Sequence, residues 1–424
     1  MNMAGTRRWL RRAAAALVLT IGVWTLVPSP MSAADTPEVR ALWVLRSTLT
    51  SPEGIATLVK SARVNGFNTL FVQVRGRADA YYQSRIEPRA PELARQPDTF
   101  DPLRTVLDEA HRAGLRVHAW MNLNLVSSAA ELPIARDHLV YRHPEWLMVP
   151  RPIAQTLATV EPDSPAYAGM IARWTRTQPD VIEGLYASPI NPAAAAHAEA
   201  VVSDVARRYP VDGIHLDYAR YPNAQYDYSR FAIAAFRAKQ RPQVDAALRR
   251  ELDAREAIDL FAWPDQFPEE WARFRRARLT GLMMRLHTAV KAARPTAVVT
   301  VAAAPDAQEA FDTRLQDWRT WLENGVIDAV CPMAYTPEPA RFAEQIAAAR
   351  DIAGGQLVWA GIGAYRLTPA QTIENIRTVR RLGAGGFILF SYDSLTAPQQ
   401  GGGYLDALGP AVQAGRAITE AGSR

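Results

Sequence analysis

The stretch Val211-Asp212-Gly213-Ile214-His215-Leu216-Asp217-Tyr218-Ala219-Arg220-Tyr221-Pro222 decides how the rest of the chain is interpreted. It begins as a buried strand, with Ile214 and Leu216 in an apolar setting, and it stops at Pro222, which has no N–H for a sheet ladder. A carboxylate, two phenols and a guanidinium at the carboxyl end of a strand are typical of the open face of a parallel α/β barrel. Asp217 is therefore the first candidate for a catalytic residue, and a structural ion pair with Arg220 is the alternative.

Seven further apolar segments alternate with helical patterns on either side of this stretch. Strands are predicted at 39–45, 68–74, 115–121, 213–217, 297–303, 327–333, 356–362 and 385–391. Near-continuous apolar strands indicate a sheet that is buried on both faces. The sequence therefore predicts a (β/α)8 TIM barrel with its helices outside. A doubly wound open sheet is the alternative, and the lack of a glycine-rich phosphate motif after the first strand disfavours it.

Two long insertions interrupt the alternation. The segment 122–193 follows the third strand and is rich in proline and polar residues, and the mostly helical segment 223–273 follows the fourth. Inserts of this length usually carry function or vary between relatives. The predicted barrel domain covers 35–400, and the tail 401–424 is predicted to hold one short helix.

The amino terminus is predicted to be a signal peptide covering 1–34. Four arginines precede an apolar run at 13–27, and Ser32-Ala33-Ala34 fits a small-residue cleavage site. An uncleaved anchor helix is the alternative, but the run is short for a bilayer span. We expect an exported protein, periplasmic or extracellular, that has no membrane partner after cleavage.

The charge balance gives no support for nucleic-acid binding. Without the four arginines of the predicted signal, 44 basic residues stand against 43 acidic ones. Cys331 is the single cysteine, so no internal disulfide forms, and its apolar surroundings indicate a small core residue. The seven histidines show no short metal-ligand spacing, and His215 is expected to point away from Asp217, so neither a metal nor another cofactor is predicted.

Polar and aromatic residues collect at the predicted carboxyl ends of the strands. Flat aromatic rings suit the C–H face of a pyranose, and arginine, asparagine and aspartate hydrogen-bond its hydroxyl groups. The sequence therefore predicts a sugar cleft. The predicted substrate-binding residues are Arg75, Asp79, Trp120, Asn122, Tyr218, Arg220, Tyr335 and Tyr392.

Four of these residues have structural alternatives. Arg75 and Asp79 lie in the second distinctive stretch, 73–82, where they either line the cleft or only brace each other. Trp120 either meets substrate or fills the barrel interior. Tyr335 shares that ambiguity, but it lies where a strand end is expected to meet substrate.

Four stretches together resemble the glycosyl-hydrolase-like 10 family of TIM-barrel glycosidase relatives, over roughly residues 38–395. The resemblance implies a TIM barrel, export in bacteria and action on glycans. A bacterial relative cleaves peptidoglycan strands that lack stem peptides, so peptidoglycan glycan strands are the expected substrate. The matching stretches are Val39-Arg40-Ala41-Leu42-Trp43; Phe71-Val72-Gln73-Val74-Arg75 with Asp79-Ala80-Tyr81-Tyr82; 211–222; and 318–322 with Pro332-Met333-Ala334-Tyr335.

Two departures from related patterns bear on mechanism. Tyr218 stands where the family often has a second acid, and Ala219 stands where chitinase-type barrels carry a glutamate. Substrate-assisted chemistry is therefore not expected. Asp217 is predicted to be the nucleophile or charge stabiliser, kept ionised by Arg75 and Arg220.

Glycoside hydrolysis normally needs a second carboxyl group as general acid. Glu338 leads the candidates because it follows the sixth predicted strand, ahead of Asp306, Glu161 and Asp393. Two non-enzymatic functions stay open: a glycan-binding barrel of the cell envelope that has lost catalysis, and a structural envelope protein.

Overall fold

The computed structural model describes residues 37–355, 357–398 and 402–421, so the predicted signal peptide lies outside the described residues. Eight of the described strands are parallel and form a closed barrel; the other two pair antiparallel as a separate small sheet. The strands are β1 (Val39–Val44), β2 (Thr69–Arg75), β3 (Arg116–Asn122), β4 (Leu125–Ser128), β5 (Gly184–Tyr186), β6 (Gly213–Asp217), β7 (Val298–Ala303), β8 (Ala329–Ala334), β9 (Leu357–Ile362) and β10 (Gly386–Phe390).

The ring closes between the first and last strands. Its order is β1, β2, β3, β6, β7, β8, β9, β10 and back to β1, where Val39 pairs with Gly386. Each neighbouring pair is parallel, so all eight carboxyl ends meet on one face. The predicted TIM barrel is confirmed.

Sixteen α-helices follow in the described chain, most of them outside the barrel, with 3-10 turns at Arg46–Thr50, Pro91–Leu93, Pro144–Trp146, Arg241–Gln243 and Ala364–Arg366. The helices are α1 (Pro52–Val64), α2 (Pro102–Arg112), α3 (Leu139–Arg142), α4 (Arg151–Leu157), α5 (Pro165–Arg176), α6 (Pro192–Arg208), α7 (Arg230–Gln240), α8 (Ala246–Glu256), α9 (Ala262–Gln266), α10 (Pro268–Ala293), α11 (Ala307–Asp312), α12 (Trp318–Glu323), α13 (Pro339–Ala353), α14 (Pro369–Arg381), α15 (Tyr392–Leu395) and α16 (Tyr404–Ala421).

Several barrel helices begin with the same arrangement of an N-capping side chain followed by proline. Ser51 before α1, Asp101 before α2 and Asn191 before α6 each accept a hydrogen bond from a backbone N–H of the first turn. A proline follows each cap, where its missing N–H costs nothing. These caps explain why the helix starts are readable from sequence.

Aromatic rings fill the interior of the barrel. Trp43, Phe71, Trp120 and Trp359 belong to one buried cluster together with small and aliphatic residues of the other strands. A packed interior is the normal state of an eight-stranded barrel, so ligands meet the open face and not a central pore.

The two long segments after β3 and β6 form a second layer beside the barrel. In the first, β4 and β5 pair antiparallel, with Leu125 opposite Tyr186. One hydrophobic cluster joins Leu185 and Ile171 of this segment to Phe236 and Trp263 of the segment after β6. Because both segments leave from carboxyl ends of strands, this layer stands next to the open face.

None of the described helices combines the length and apolar character that a bilayer crossing requires.

Candidate active site

A cavity of about 340 Å³ opens at the carboxyl ends of the barrel strands. Its volume falls in the range of ligand-binding pockets. The barrel strands and the inserted segment after β3 both contribute to its walls. The lining residues are Trp43, Leu45, Arg46, Gln73, Gly76, Arg77, Trp120, Asn122, Leu125, Ser128, Glu183, Asp217, Tyr218, Arg220, Ala302, Met333, Tyr335 and Phe390.

Strand β6 delivers Asp217 to this cavity. Ile214 and Leu216 pack into the core outside the barrel wall, and the alternate positions face inward. The strand ends at Asp217, and the next residue, Tyr218, has a φ of +52° in the left-handed region that residues other than glycine seldom adopt. The Tyr218 N–H donates to Asp217 Oδ1 at 2.6 Å, which ties the carboxylate to the turn.

The expected orientation of His215 is wrong. Residues two apart on a strand share a face, so His215 points into the barrel on the same side as Asp217. The Trp43 indole N–H donates to His215 Nε2 at 3.1 Å, and His215 Nδ1 lies 2.8 Å from Thr300 Oγ1. Since an indole only donates, His215 is the neutral form with its proton on Nδ1. It supports Trp43, which lines the cavity.

Arg220 joins two carboxylates at the cavity wall. Its Nη2 lies 3.0 Å from Glu183 Oε1, and its Nη1 lies 3.6 Å from Asp217 Oδ1. The guanidinium carbon also stands 4.2 Å from the centre of the Tyr218 ring. One planar cation thus holds both acids, and the two bound oxygen atoms are closer together than the roughly 9.5 Å limit of glycosidase carboxyl pairs.

Glu183 is the site residue that sequence reasoning did not propose as an acid. It precedes β5 in the inserted segment, and the Tyr186 hydroxyl donates to its Oε2 at 2.7 Å. The β4–β5 pair carries it to the barrel opening. The sequence feature that could have pointed to Glu183 is an acid directly before a short strand that ends in tyrosine. No spacing in the sequence, however, relates position 183 to position 217.

The surroundings shift the pKa values of Asp217 and Glu183 in opposite directions. Burial raises the pKa of Asp217, and the Arg220 charge and the Tyr218 amide only partly oppose it. Arg220 thus lowers the pKa of Asp217 as expected but is outweighed by burial, whereas Arg75 pairs with Glu87 instead. Burial acts in the same sense on Glu183, but the Arg220 charge and the Tyr186 hydrogen bond outweigh it and leave the pKa of Glu183 lowered.

A chain of amides and one cation continues the rim beside Asp217, whose partner on the neighbouring strand is Asn122. Arg46 Nη1 donates to Gln73 Oε1 at 3.0 Å, and the Trp120 indole N–H donates to Asn122 Oδ1 at 2.9 Å. Asn122 in turn donates to the Gly76 carbonyl. The rim therefore offers fixed donors and acceptors together with the indole surfaces of the floor.

Five predicted substrate-binding residues meet in the cavity: Trp120, Asn122, Tyr218, Arg220 and Tyr335. The other three lie elsewhere. Arg75 is buried and pairs with Glu87 at 2.6 Å, Asp79 accepts from the Arg77 N–H, and Tyr392 is buried at the start of α15.

The four acids proposed as general acid candidates are placed outside the cavity lining. Glu338 is exposed and directly precedes α13, Asp306 caps α11 with its side chain, and Glu161 is exposed. Asp393 is tied to the chain after β1, where it accepts from the Leu45 N–H and the Thr48 hydroxyl.

Within the described ranges, no group of three or more histidine, cysteine, aspartate or glutamate side chains is arranged to hold a metal ion.

Comparison with known proteins gives a family and related chains. A family model described as Glycosyl hydrolase-like 10 matches residues 38–377. Glycosyl hydrolase YngK of Bacillus subtilis (strain 168) is 24% identical over 351 residues, covering 75% of this chain and 58% of that protein. Glycosyl hydrolase DigH of Escherichia coli (strain K12) is 23% identical over 349 residues, covering 74% and 65%. The chain thus spans less than two thirds of the length of both relatives.

Solved structures share the fold at low sequence identity. The glycoside hydrolase domain of PgaB (BpsB) from Bordetella bronchiseptica aligns with a TM-score of 0.60 and 16% identity, covering 89% of this chain and 99% of that one. The beta-galactosidase of the psychrophilic Marinomonas ef1 aligns with a TM-score of 0.60 and 12% identity, covering 90% and 60%. These likenesses establish the barrel architecture.

Proposed function

The chain belongs to the glycosyl hydrolase-like 10 family, and we propose that it hydrolyses glycosidic bonds with Asp217 and Glu183 as its two carboxyl groups. The observation that carries the proposal is the Arg220 bridge, which holds both acids on the wall of one cavity. Among the residues that line this cavity, these two are the acids. Glycosidases normally work with such a pair.

The two roles follow from the surroundings. Burial favours the protonated form of Asp217, so this group donates a proton to the departing glycosidic oxygen. Glu183 stays ionised beside Arg220 and Tyr186, and its charge stabilises the positive charge that develops at the anomeric carbon. As the glycosidic C–O bond breaks, a water oxygen bonds to this carbon and Glu183 takes the proton that the water loses. Two carboxyl groups whose pKa values are pushed apart are the usual basis for dividing acid and charge-stabilising work.

We propose glycan strands of peptidoglycan without stem peptides as the substrate. The family resemblance implies this substrate, and the cavity suits sugar rings because Trp43, Trp120 and Tyr335 present aromatic surfaces beside the Arg46–Gln73–Asn122 rim. Aromatic faces pack against the C–H face of a pyranose, and the rim hydrogen-bonds its hydroxyl groups.

The glycan-binding barrel without catalysis is the competing function. It requires that no second acid reach Asp217 across the cleft. The position of Glu183, bound to the same guanidinium as Asp217, supports hydrolysis over binding alone.

The test is digestion of purified glycan strands, with new reducing ends measured and fragment masses determined. We expect Asp217→Asn and Glu183→Gln each to lower kcat by at least a hundredfold, the lower end of what a positioned acid contributes. Glu338→Gln is the matched control, because Glu338 is exposed and lies outside the cavity. Loss of activity in Glu338→Gln with retention in Glu183→Gln would identify Glu338 as the second carboxyl group and refute the proposed pair.

Export belongs to the same proposal. The arginines and apolar run of 1–34 favour a cleaved signal, which would bring the enzyme to the cell wall where its substrate lies. Expression in a bacterium followed by fractionation is expected to give an extracytoplasmic protein whose sequence begins at Asp35. A membrane-bound product that retains 1–34 would show an anchor instead.

A further inference from the structure

A second cavity of about 340 Å³ lies beside the candidate active site. Its walls come from the loop after β2 and from the chain that follows β4. Arg77 and Ser128 line both cavities, so the two spaces adjoin across these side chains. A second space of ligand size next to a glycosidase site is placed to receive the next sugar of a chain.

The rim of this side cavity is largely apolar. Five of its apolar lining residues, Pro88, Pro91, Leu132, Pro133 and Ile134, are together called its lip. Ile134 is 80% exposed, although neighbouring apolar residues lie on both sides of it. A ligand that covers this lip removes apolar surface from water, which favours a sugar ring face or an N-acetyl methyl group.

The charges in the side cavity disfavour an anion. Three acids line it, Asp79, Glu92 and Glu131, against two arginines. Arg77 already pairs with Glu92 and lies 3.6 Å from Asp79. The other arginine, Arg89, donates to the backbone carbonyls of Phe100 and Pro97. Since the acidic side chains of the lining exceed its arginines by one, a carboxylate ligand would meet a lining of net negative charge.

We propose that the side cavity is a subsite for an uncharged, N-acetylated sugar residue, next along the glycan from the bond held at Asp217. This inference rests on the proposed function. In a strand that alternates N-acetylglucosamine with the carboxylate-bearing N-acetylmuramic acid, the side cavity accepts the former and rejects the latter. It thereby sets the register in which the strand lies over the two acids.

The test compares saccharide binding in two forms of the full chain, both carrying Asp217→Asn so that no bond is cleaved. Calorimetry measures the dissociation constants of the β-1,4-linked dimer and tetramer of N-acetylglucosamine. The tetramer is expected to bind about tenfold more tightly than the dimer, which corresponds to about 1.4 kcal/mol. Ala135→Trp, which fills the side cavity, is expected to abolish that gain.

A matched variant tests whether the effect depends on filling the side cavity, and a charged saccharide tests whether the cavity rejects a carboxylate. Ala130→Trp places the same ring on the same segment at an exposed position outside the cavity lining, and it is expected to keep the tenfold gain. A tetramer of galacturonic acid, with a carboxylate on every ring, is expected to show no gain over its dimer.

The outcomes separate this inference from the proposed function. A length-dependent gain that survives Ala135→Trp, or no gain in the unblocked chain, overturns the subsite. If the wild type still releases reducing ends from glycan strands in that case, the proposed function stands. If neither binding nor hydrolysis of any saccharide is found, both fail together.

Discussion

Arg220 is the residue on which the chemistry of the site depends. It comes three positions after Asp217, where an ion pair within the turn is easy to form, yet its shorter contact is to Glu183. Its side chain is only 10% exposed, so solvent screens its charge weakly. The Arg220 charge therefore opposes the effect of burial on both acids: it only partly offsets the raised pKa of Asp217, and it contributes to the lowered pKa of Glu183.

Replacing Arg220 by methionine is expected to move the pH–activity profile to higher pH. Activity requires Glu183 ionised, so it falls below the pKa of Glu183, and it requires Asp217 protonated, so it falls above the pKa of Asp217. Removing a nearby positive charge raises both pKa values, by roughly one unit or more. Both limbs of the kcat/KM profile should shift in the alkaline direction.

Arg220→Lys is the control for that shift. It keeps the positive charge but not the fork that holds two carboxylates, so kcat should fall while the profile stays near its original pH. Circular dichroism of both variants checks that the barrel is folded. An unchanged profile in Arg220→Met would show that the two acids do not govern catalysis.

At the scale of single elements, strand β6 sets the position of Asp217. The strand begins at Gly213, where neighbouring backbone leaves no room for a side chain. A Cβ atom there would stand 2.3 Å from His118 Nδ1 on β3 and 2.7 Å from the Val298 carbonyl oxygen on β7. The glycine is needed for close approach of the strands and not for an unusual φ angle.

Gly213→Ala is expected to destabilise the protein by roughly 1–3 kcal/mol, the cost of overpacking a core. Because Asp217 lies on the same strand, a shift of β6 should also lower kcat. Urea unfolding gives the free energy of unfolding, and glycan digestion gives the rate. Gly281→Ala on α10 meets no atom within 4 Å of its new Cβ, and it should stabilise by about 0.5–1 kcal/mol.

The inserted strands β4 and β5 determine the position of the second acid, Glu183. The β4–β5 pair exists because an antiparallel partner satisfies the backbone groups of two short strands that leave the barrel wall. Local pattern in the sequence marks the segment only as irregular and proline-rich. Its path back to the barrel opening, which brings Glu183 beside Arg220, depends on packing in the hydrophobic cluster it shares with the segment after β6.

At the scale of the whole molecule, the carboxyl-terminal helix α16 stabilises the region where β1 pairs with β10 and the barrel closes. Arg380 of α14 pairs with Glu38 just before β1 and also donates to the carbonyls of Ala411 and Val412 on α16. The Tyr404 hydroxyl lies 2.8 Å from Thr372 Oγ1 and 2.8 Å from the Leu367 carbonyl oxygen. The first and last parts of the described barrel are thus bound by one helix.

Tyr404→Phe is expected to lower the free energy of unfolding by about 1–3 kcal/mol, because the buried partners of the hydroxyl lose a hydrogen bond. Activity at low temperature should be preserved, since α16 does not line the cavity. Tyr365→Phe removes a hydroxyl from a residue that is 38% exposed and should change stability by less than about 0.5 kcal/mol. Thermal and urea unfolding of both variants provide the comparison, and equal stabilities would contradict the role given to Tyr404.

The amino-acid sequence is enough to predict the barrel, because apolar strands, helix caps and the stop at Pro222 are local features that neighbouring residues impose on one another. It also placed Asp217 at a strand end, and the strand ends brought Trp120, Asn122, Tyr218, Arg220 and Tyr335 into one cavity. Tertiary packing fixes which acid accompanies Asp217, because the path of a long insertion follows from the contacts that it makes. It likewise placed Arg75 against Glu87, since a buried cation takes the carboxylate that the folded chain brings within reach.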